Sequence, residues 1–323
     1  MKKTLLTICL VWMCFSLSAQ KIIDLSGKWS FSIDRQDNGE KEKWFSHTLN
    51  DFINLPGSMP EKLKGDEVTA KTQWTGSLYD SSYYYNPYME KYRKEGNIKF
   101  PFFLTPDKHY VGAAWYQKEV NIPADWKGER ILLFLERPHI ETTVWVNGQK
   151  TGMQNSLCVP HQYDITRYVR PGKCTITIRV DNRIKEINVG PDSHSITDQT
   201  QGNWNGIVGR ICLQTTPKTY FDDIQIYPEP EQKLARVKVV IKGTGTAKVK
   251  LSAESFNTDK KHIVPAIQQE IKLNKGVTET EMVLPMGNDM LLWDEFHPAL
   301  YKLKAEVTNG KKTEIKEIQF GMR

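Results

Sequence analysis

The side chains best suited to recognise a ligand lie in the polar segment SHSITDQTQGNWNGIVG at 193–209. Within it, Asp198, Asn203 and Trp204 supply a carboxylate, an amide and a large aromatic ring. Carboxylates and amides can form paired hydrogen bonds with vicinal hydroxyls, and an indole offers a flat stacking face. The pattern therefore predicts that these three residues contact a carbohydrate. The alternative is that Asp198 and Asn203 cap a turn and that Trp204 belongs to the core.

Neither the adjacent acidic residues nor the histidines are good candidates for catalysis. Asp294 and Glu295 are adjacent, so their side chains would point to opposite faces of a strand, or to solvent in a turn before Pro298. We interpret the dispersed histidines, none of which has a neighbouring nucleophile, as loop or core residues: His139, His161, His194 and His297. We predict no catalytic residue in this chain.

The cysteines do not predict a metal site. Cys9 and Cys14 lie in an N-terminal segment that we expect to be removed, which leaves Cys158, Cys174 and Cys212. An odd number gives no complete disulfide framework, so one bridge or buried free thiols remain as alternatives. The sequence has neither a CxxC pair nor a close His/Cys cluster, and we predict no metal and no cofactor.

The first twenty residues, MKKTLLTICLVWMCFSLSAQ, have the pattern of a signal peptide. Lys2 and Lys3 precede an apolar run at 5–17, and Ser18 and Ala19 follow it. We predict cleavage after Ala19, with cleavage after Ser18 as the alternative. The apolar run is shorter than the roughly 20 residues that a bilayer span needs. The sequence thus predicts an exported protein, periplasmic or secreted, without a membrane span.

The composition is that of a globular chain. Of 323 residues, 39% are hydrophobic and 25% are charged. Without Lys2 and Lys3, the 44 basic residues fall to 42, against 38 acidic residues. This small excess, scattered among glutamates, argues against nucleic acid as a partner.

Short alternating patterns predict a β-sandwich architecture rather than alternating βα units. The apolar run at 130–135 is typical of a strand that is buried on both faces. Alternation of apolar and polar residues predicts a strand that turns at Asn147-Gly148 within 142–152, and further strands at 174–182, 235–243 and 247–255. Three tryptophans fall on strand-like segments and are predicted to lie in the core: Trp29, Trp115 and Trp145.

Three glycines are predicted to have a conformational role in the backbone. Asn147-Gly148 and Asn309-Gly310 each follow an alternating segment and predict tight hairpin turns with positive φ. Gly206 follows the polar segment and predicts a bulge or a close approach between backbones.

A long tyrosine-rich segment at 74–116 interrupts the strand patterns. Loops of this length in a compact domain are usually functional or disordered, and the many aromatic residues argue against disorder. The tyrosines either build a surface that stacks on sugar rings or cover the domain's own core.

Five segments in a fixed order carry a resemblance to a known family. They are LSGKWSFSID (25–34), INLPGSM (53–59), GAAWYQKEVNIPADWKGERILLFLERPHIETTVWVNGQKTG (112–152), YDITRYVRPGKCTITIRVDN (163–182) and WNGIVGRICL (204–213). Together they resemble the sugar-binding domain of glycoside hydrolase family 2, which includes β-galactosidases, β-glucuronidases and β-mannosidases. The resemblance implies a galactose-binding-like jelly roll. It also places Asp198 where some β-galactosidases have a substrate-contacting aspartate, although the spacing to Trp204 is longer here.

The last hundred or so residues resemble the immunoglobulin-like domain of the same family. The matching segments are LLWDEFHPALYKLKAEV (291–307) and the final FGMR, which is similar to the FGFR that precedes the family's catalytic barrel. The sequence thus predicts an all-β chain: a signal peptide at 1–19, a jelly-roll sugar-binding domain at 20–218 and an immunoglobulin-like sandwich at 219–323.

The resemblance implies that a catalytic (α/β)₈ barrel supplies the acid/base and nucleophilic glutamates of a retaining mechanism. No segment of this chain resembles that barrel. We therefore expect the non-catalytic N-terminal portion of an exported β-glycosidase, with carbohydrate and the barrel, in cis or as a separate chain, as partners. The alternatives are a stand-alone carbohydrate-binding module and a structural sandwich protein.

Overall fold

The computed structural model describes residues 21–76, 80–101, 103–185, 192–194 and 196–323. The predicted signal peptide at 1–19 lies outside the described residues, and so do Cys9 and Cys14. The described chain forms two compact units, one spanning Lys21–Thr215 and the other containing Thr216–Arg323.

The first unit is built mainly of strands. They are β1 (Ile22–Asp24), β2 (Gly27–Asp34), β3 (Asp51–Leu55), β4 (Gly57–Ser58), β5 (Asp66–Glu67), β6 (Lys108–His109), β7 (Ala113–Ile122), β8 (Arg130–His139), β9 (Glu141–Val146), β10 (Gln149–Asn155), β11 (His161–Asp164), β12 (Gly172–Asp181) and β13 (Gly206–Thr216). The short helix α1 (Ser82–Tyr85) and single turns of 3₁₀ helix lie between them.

Two sheets pack face to face in this unit. Among the described residues, five strands form one sheet in the order β1-β13-β8-β11, with β4 added beside β13, and six form the other in the order β10-β9-β12-β7-β2-β3. Apolar side chains from both sheets share one core, which includes Trp29, Phe31, Tyr116, Leu133, Val144, Ile178 and Leu213. The predicted jelly-roll sandwich is therefore confirmed.

The predicted core tryptophans are buried, but they lie in two clusters. Trp29 belongs to the core between the sheets. Trp115 and Trp145 pack against each other with ring centres 5.0 Å apart and, together with Leu49, form a second cluster on the outer face of the six-stranded sheet's central strands. Phe45 stacks on Trp145 at 5.2 Å, so part of the chain before β3 covers this face.

The strand β12 differs from the half-exposed strand that its alternation suggests. Ile176 and Ile178 face the core as predicted, yet the polar residues Thr177 and Arg179 between them are also buried. Arg179 is buried because its guanidinium pairs with Asp37 at 2.6 Å, on the same covering segment. A polar residue in an alternating strand can thus mark a buried ion pair as well as a solvated face.

The second unit is a sandwich of five strands among the described residues. They are β14 (Tyr220–Glu229), β15 (Leu234–Phe256), β16 (Ile263–Pro285), β17 (Leu300–Asn309) and β18 (Lys312–Phe320). The segments 235–243 and 247–255, predicted as separate strands, are continuous in β15, with a register shift between Gly243 and Gly245. The first half of β15 pairs with β14 and the second half with β17. All five strands belong to one hydrogen-bonded sheet, and their buried side chains form a single core.

The turns agree with the sequence in one hairpin and shift by one residue in the other. Asn147 and Gly148 both have positive φ and join β9 to β10, as predicted. At the last hairpin, however, Asn309 pairs with Lys312, so Gly310 and Lys311 are the central residues of the turn. Positive φ occurs at Gly310 and not at Asn309, because the strand pairing extends one residue further than the Asn-Gly motif suggests.

The tyrosine-rich segment divides between the two predicted roles. Tyr83 is fully buried and stacks on Phe100 at 4.4 Å, in a small cluster that includes Phe103. Tyr85 and Tyr88 are exposed by 73% and 83%. The segment therefore has its own small core and also presents tyrosine rings to solvent.

The three remaining cysteines are free thiols. Cys174 and Cys212 are buried, as one of the two alternatives predicted, whereas Cys158 is exposed. Burial raises the pKa of the Cys174 thiol to about 11, so that thiol stays protonated at neutral pH. In the described part of the chain, no helix is long and apolar enough to cross a bilayer.

Candidate functional site

The segment that carries Asp198 connects β12 to β13 and folds back onto the tyrosine-rich segment. Asp198 is only 1% exposed. Its backbone N–H donates to the carbonyl oxygen of Thr75 at 3.0 Å, and its own carbonyl oxygen accepts from the N–H of Leu104 at 3.3 Å. The two segments are thus joined through backbone groups on both sides of Asp198.

The carboxylate of Asp198 is occupied by donors from its surroundings. Oδ2 accepts from the backbone N–H of Thr75 at 2.6 Å, and Oδ1 accepts from the backbone N–H of Asn203. Nε2 of His109 lies 3.3 Å from Oδ2. Hydrogen bonds to a carboxylate are stronger than those between neutral groups, so Asp198 is well placed to fix this part of the fold.

Asn203 also bridges separate parts of the chain. Its side-chain amide donates to Oγ1 of Thr75 at 3.0 Å and to the carbonyl oxygen of Asn182 at 3.1 Å. Its Oδ1 is buried and has no hydrogen-bond partner among the described residues. A buried amide oxygen of this kind needs a donor, and a water or a ligand hydroxyl would supply one.

Trp204 lies at the edge of this arrangement and is half-buried. Its indole ring stacks on the imidazole of His139, with ring centres 4.6 Å apart and planes inclined by 27°. Nδ1 of His139 donates to the carbonyl oxygen of Trp204 at 2.8 Å. Burial lowers the pKa of His139 to about 4, although the Trp204 carbonyl and the negative charge of Asp198 oppose the shift. His139 is therefore neutral at physiological pH.

The following residues fix where β13 starts. Asn205 is fully buried, and its side-chain amide donates to the carbonyl oxygens of Gly112 and Val180. Gly206 has φ of +144°, and a Cβ there would lie 2.5 Å from the carbonyl oxygen of Gly57 on β4. The predicted close approach at Gly206 is confirmed.

The structure thus places the three predicted contact residues in one cluster, but with different accessibility. Asp198 and Asn203 are buried and hold loops together, while Trp204 keeps part of its ring at the surface. Their sugar contact stays a prediction. Sequence reasoning missed Thr75 and His109, because residues 123 and 89 positions away from Asp198 share no local pattern with it.

The acidic pair in the second unit behaves as predicted for a turn. The carboxylate of Asp294 accepts from the backbone N–H groups of Phe296 and His297 at 2.8 and 2.7 Å. These two hydrogen bonds lower the pKa of Asp294. The described residues contain no group of three or more His, Cys, Asp and Glu side chains arranged to hold a metal ion.

Two family models match successive parts of the chain. Residues 22–217 match the model described as glycosyl hydrolases family 2, sugar binding domain. Residues 219–323 match the model described as glycosyl hydrolases family 2.

Curated relatives align with most of this chain, but only over part of their own length. The β-glucuronidase of Homo sapiens is 24% identical over 88% of the chain, which corresponds to 41% of that enzyme. The β-glucuronidase of Paenibacillus borealis is also 24% identical, over 94% of the chain and 46% of the enzyme. The β-galactosidase large subunit of Lactobacillus acidophilus is 22% identical, over 93% and 46%. The chain spans less than half the length of these relatives.

Solved structures agree on the fold. A β-glucuronidase from an uncultured Clostridium species superposes with a TM-score of 0.61 at 21% identity, covering 95% of this chain and 45% of that one. A Ruminococcus gnavus β-glucuronidase gives 0.60 at 18% identity, with coverages of 94% and 44%. Since both family models match and together cover nearly all of the described residues, the chain belongs to glycosyl hydrolase family 2.

Proposed function

We propose that this chain is the non-catalytic N-terminal portion of an exported β-glycosidase, and that it braces a catalytic barrel and shapes the rim of its site. The observation that carries the proposal is the match to two successive family segments within less than half the length of the relatives. Those relatives are β-glucuronidases and β-galactosidases, so the parent reaction is hydrolysis of a β-linked glycan.

The acidic side chains of the first unit argue against catalysis by the chain alone. Asp181 and Glu141 approach each other closely, since Nζ of Lys185 lies 2.8 Å from one carboxylate and 3.0 Å from the other. A retaining glycosidase needs two carboxyls about 5–5.5 Å apart, one of them protonated. Burial of Asp181 favours protonation, but hydrogen bonds from Arg183 and Lys185 and the charge of Arg179 outweigh it and hold its pKa far below the usual range. Asp181 therefore has no proton to donate.

The second unit offers a surface for the barrel. Leu292 and Phe296 are exposed by 53% and 81%, in a loop that pairs with the last residues of the chain. The backbone N–H of Trp293 donates to the carbonyl oxygen of Met322 at 2.9 Å, and the guanidinium of Arg323 lies over the Trp293 ring. Apolar side chains grouped at this position are expected to be covered by another polypeptide segment.

Activity of the purified chain tests the proposal. The chain alone should not hydrolyse chromogenic β-glucuronides or β-galactosides. A chain extended by the coding sequence after Arg323, or mixed with a barrel encoded nearby, should hydrolyse one of them. Turnover by the chain alone that disappears in Glu141→Gln would contradict the proposal, because a contaminating enzyme would not respond to that substitution.

Export is tested separately. Expression of the full sequence in a Gram-negative host should deliver mature protein to the periplasm or the medium, with an N-terminus at Gln20, or at Ala19 if the alternative cleavage site is used. Full-length protein retained in the cytoplasm would refute this part of the proposal.

A stand-alone carbohydrate-binding module is the second candidate function. An open cavity in the first unit favours it, because that cavity is formed entirely by this chain.

A further inference from the structure

The sequence contains four Asn-Gly pairs, and this dipeptide can modify itself. The backbone nitrogen that follows an asparagine can attack the carbon of its side-chain amide when the two come close enough. Glycine has no Cβ, so it offers the least obstruction to such an attack. The four pairs are Asn38-Gly39, Asn147-Gly148, Asn205-Gly206 and Asn309-Gly310. Whether each pair reacts depends on how the fold holds the amide and the nitrogen.

Burial protects Asn205. The residue is fully buried, and its side-chain amide donates to the carbonyl oxygens of Gly112 at 2.9 Å and Val180 at 3.0 Å. Its Oδ1 accepts from the hydroxyl of Tyr116 at 2.7 Å. The amide would have to break these buried hydrogen bonds before it could turn towards the nitrogen of Gly206, and leaving such groups unpaired is costly.

At Asn38 the attacking nitrogen is occupied. The backbone N–H of Gly39 donates to Oδ2 of Asp34 at 2.9 Å, and Gly39 and Asp34 are both buried. The backbone N–H of Asn38 donates to the other oxygen of the same carboxylate at 2.8 Å. Hydrogen bonds to a carboxylate are strong, so the nitrogen of Gly39 is not free to attack the Asn38 side chain.

Asn147 is exposed, but both ends of its side-chain amide are held. Oδ1 accepts from the backbone N–H of Thr175 at 2.9 Å, and Nδ2 donates to the carbonyl oxygen of Tyr168 at 3.1 Å. The backbone N–H of Asn147 also donates to the Thr175 carbonyl oxygen at 2.8 Å. These contacts with neighbouring segments fix the orientation of the residue.

Asn309 lacks this protection. It is the last residue of β17, and its pairing with Lys312 leaves Gly310 as the first central residue of the turn. Its Nδ2 donates to the Thr244 carbonyl oxygen at 2.8 Å, but Oδ1 has no hydrogen-bond partner among the described residues. Gly310 is exposed, its N–H has no acceptor in the described part of the chain, and a Cβ there would meet nothing within 4 Å. Among the contacts of the described residues, one exposed hydrogen bond restrains the amide and none restrains the nitrogen.

From this difference we propose that Asn309 is a site of spontaneous deamidation in the folded chain. The backbone nitrogen of Gly310 attacks Cγ of Asn309, and its proton passes to Nδ2. The new N–Cγ bond closes a cyclic imide as the Cγ–Nδ2 bond breaks, and the side-chain nitrogen leaves as ammonia. Water then opens the imide at either of its carbonyl carbons, which gives aspartate or isoaspartate. The reaction consumes only water and involves no change of oxidation state.

Either product weakens the connection between the last hairpin and β15. In aspartate, a carboxylate oxygen replaces the donor at Nδ2 and repels the Thr244 carbonyl oxygen. In isoaspartate, the main chain continues through Cγ, which adds a backbone atom inside the strand pair of Asn309 and Lys312. Thr244 lies at the register shift of β15 between Gly243 and Gly245. The inference goes beyond the proposed function, because it requires neither a barrel nor a ligand.

Peptide mapping by mass spectrometry tests the site, since the exchange of an amide for a carboxylic acid makes the peptide heavier. The purified chain is warmed in mildly alkaline buffer, and a second sample is unfolded in urea in the same buffer. Incubation continues until all four Asn-Gly pairs are converted in the unfolded sample. In the folded sample, Asn309 should be converted at least about tenfold faster than any other pair, because the contacts of the other pairs raise the barrier.

Asn309→Gln should stop the conversion at this position, because the longer side chain forms its larger imide slowly. Asn288→Gln is the matched control, because Asn288 is exposed in the same unit but is followed by Asp289 instead of glycine. Its conversion at Asn309 should match that of the parent chain. Asn309→Asp should reproduce the product, with faster hydrogen exchange in β17 and β18.

Conversion of Asn309 in the folded chain that is no faster than conversion of the other three pairs would overturn the inference. Hydrogen exchange of β17 and β18 that is the same in Asn309→Asp and in the parent chain would overturn the predicted weakening of the hairpin. Neither result bears on the proposed role beside a barrel, since that role is read out by hydrolysis.

Discussion

Asp198 and Thr75 are joined by a reciprocal pair of hydrogen bonds, although 123 residues separate them in the chain. The backbone N–H of Asp198 donates to the Thr75 carbonyl, and the backbone N–H of Thr75 donates to the Asp198 carboxylate. This pair connects the tyrosine-rich segment to the loop that carries Trp204. The position of the predicted contact surface therefore depends on it.

Asp198→Asn should destabilise the first unit by about 2 kcal/mol, because an amide cannot accept at both oxygen positions and the partly buried N–H of Thr75 loses its acceptor. Urea unfolding followed by tryptophan fluorescence measures this, since seven of the nine tryptophans lie between 29 and 204. Asp107→Asn, at an exposed position in the same unit, should change stability by less than about 0.5 kcal/mol. Equal effects of the two substitutions would refute the role of Asp198.

The stability of the first unit should fall as the pH drops below about 6.5. The folded pKa of His139 is about 4, against an ordinary value of 6.5, so the unfolded chain binds the proton more readily. The stabilisation is complete above the ordinary pKa and is lost as the pH falls towards the folded pKa. Between pH 7 and pH 5 it should decrease by about 2 kcal/mol.

The same urea experiment at the two pH values measures this loss. His139→Asn keeps a side-chain donor near the Trp204 carbonyl but cannot titrate, so its stability should depend less on pH. His161, whose pKa is also lowered by burial, contributes a pH dependence in the same direction that remains in the variant. An unchanged slope in His139→Asn would contradict the assignment to His139.

Gly206→Ala should be more destabilising than a glycine substitution that only strains the backbone. At Gly206 a Cβ would clash with the Gly57 carbonyl oxygen, whereas at Gly172, with φ of +108°, it would meet nothing within 4 Å. Gly172→Ala should cost about 1–2 kcal/mol, from the left-handed backbone alone. Gly206→Ala should exceed this by at least about 1 kcal/mol and shift β13 away from β4. Thermal unfolding of the two variants side by side gives the comparison, and a smaller effect at Gly206 would rule out the close approach.

Tyr83→Ala should loosen the tyrosine-rich segment, and Tyr85→Ala should not. Tyr83 is buried against Phe100, and its hydroxyl donates to the Tyr92 carbonyl oxygen at 2.9 Å. Truncation to alanine leaves a cavity in that cluster and should reduce its stability by about 3–5 kcal/mol. Limited proteolysis should cleave the segment faster in Tyr83→Ala and at the parent rate in Tyr85→Ala. Equal cleavage rates would show that this small cluster does not hold the segment.

Much of the fold follows from local pattern. The alternation of Ile176 and Ile178 with polar residues defines β12 because successive side chains of a strand point to opposite faces. Asn147-Gly148 defines a hairpin because both residues tolerate the positive φ that the tight turn requires. The order of the five family segments then gives the domain types, since each segment keeps its own strand and turn signals.

The sequence by itself determined that this is an all-β chain that resembles glycosyl hydrolase family 2, and it identified Asp198, Asn203 and Trp204 as candidate contact residues. Only the tertiary structure decided what surrounds them: His109 and Thr75 at Asp198, and Asp37 against Arg179, 142 residues away along the chain. Periodicity shows which face of a strand is apolar, because every second residue of the strand faces the core. Periodicity does not show which polar side chains from different loops contact each other, because those contacts depend on the path of the whole backbone.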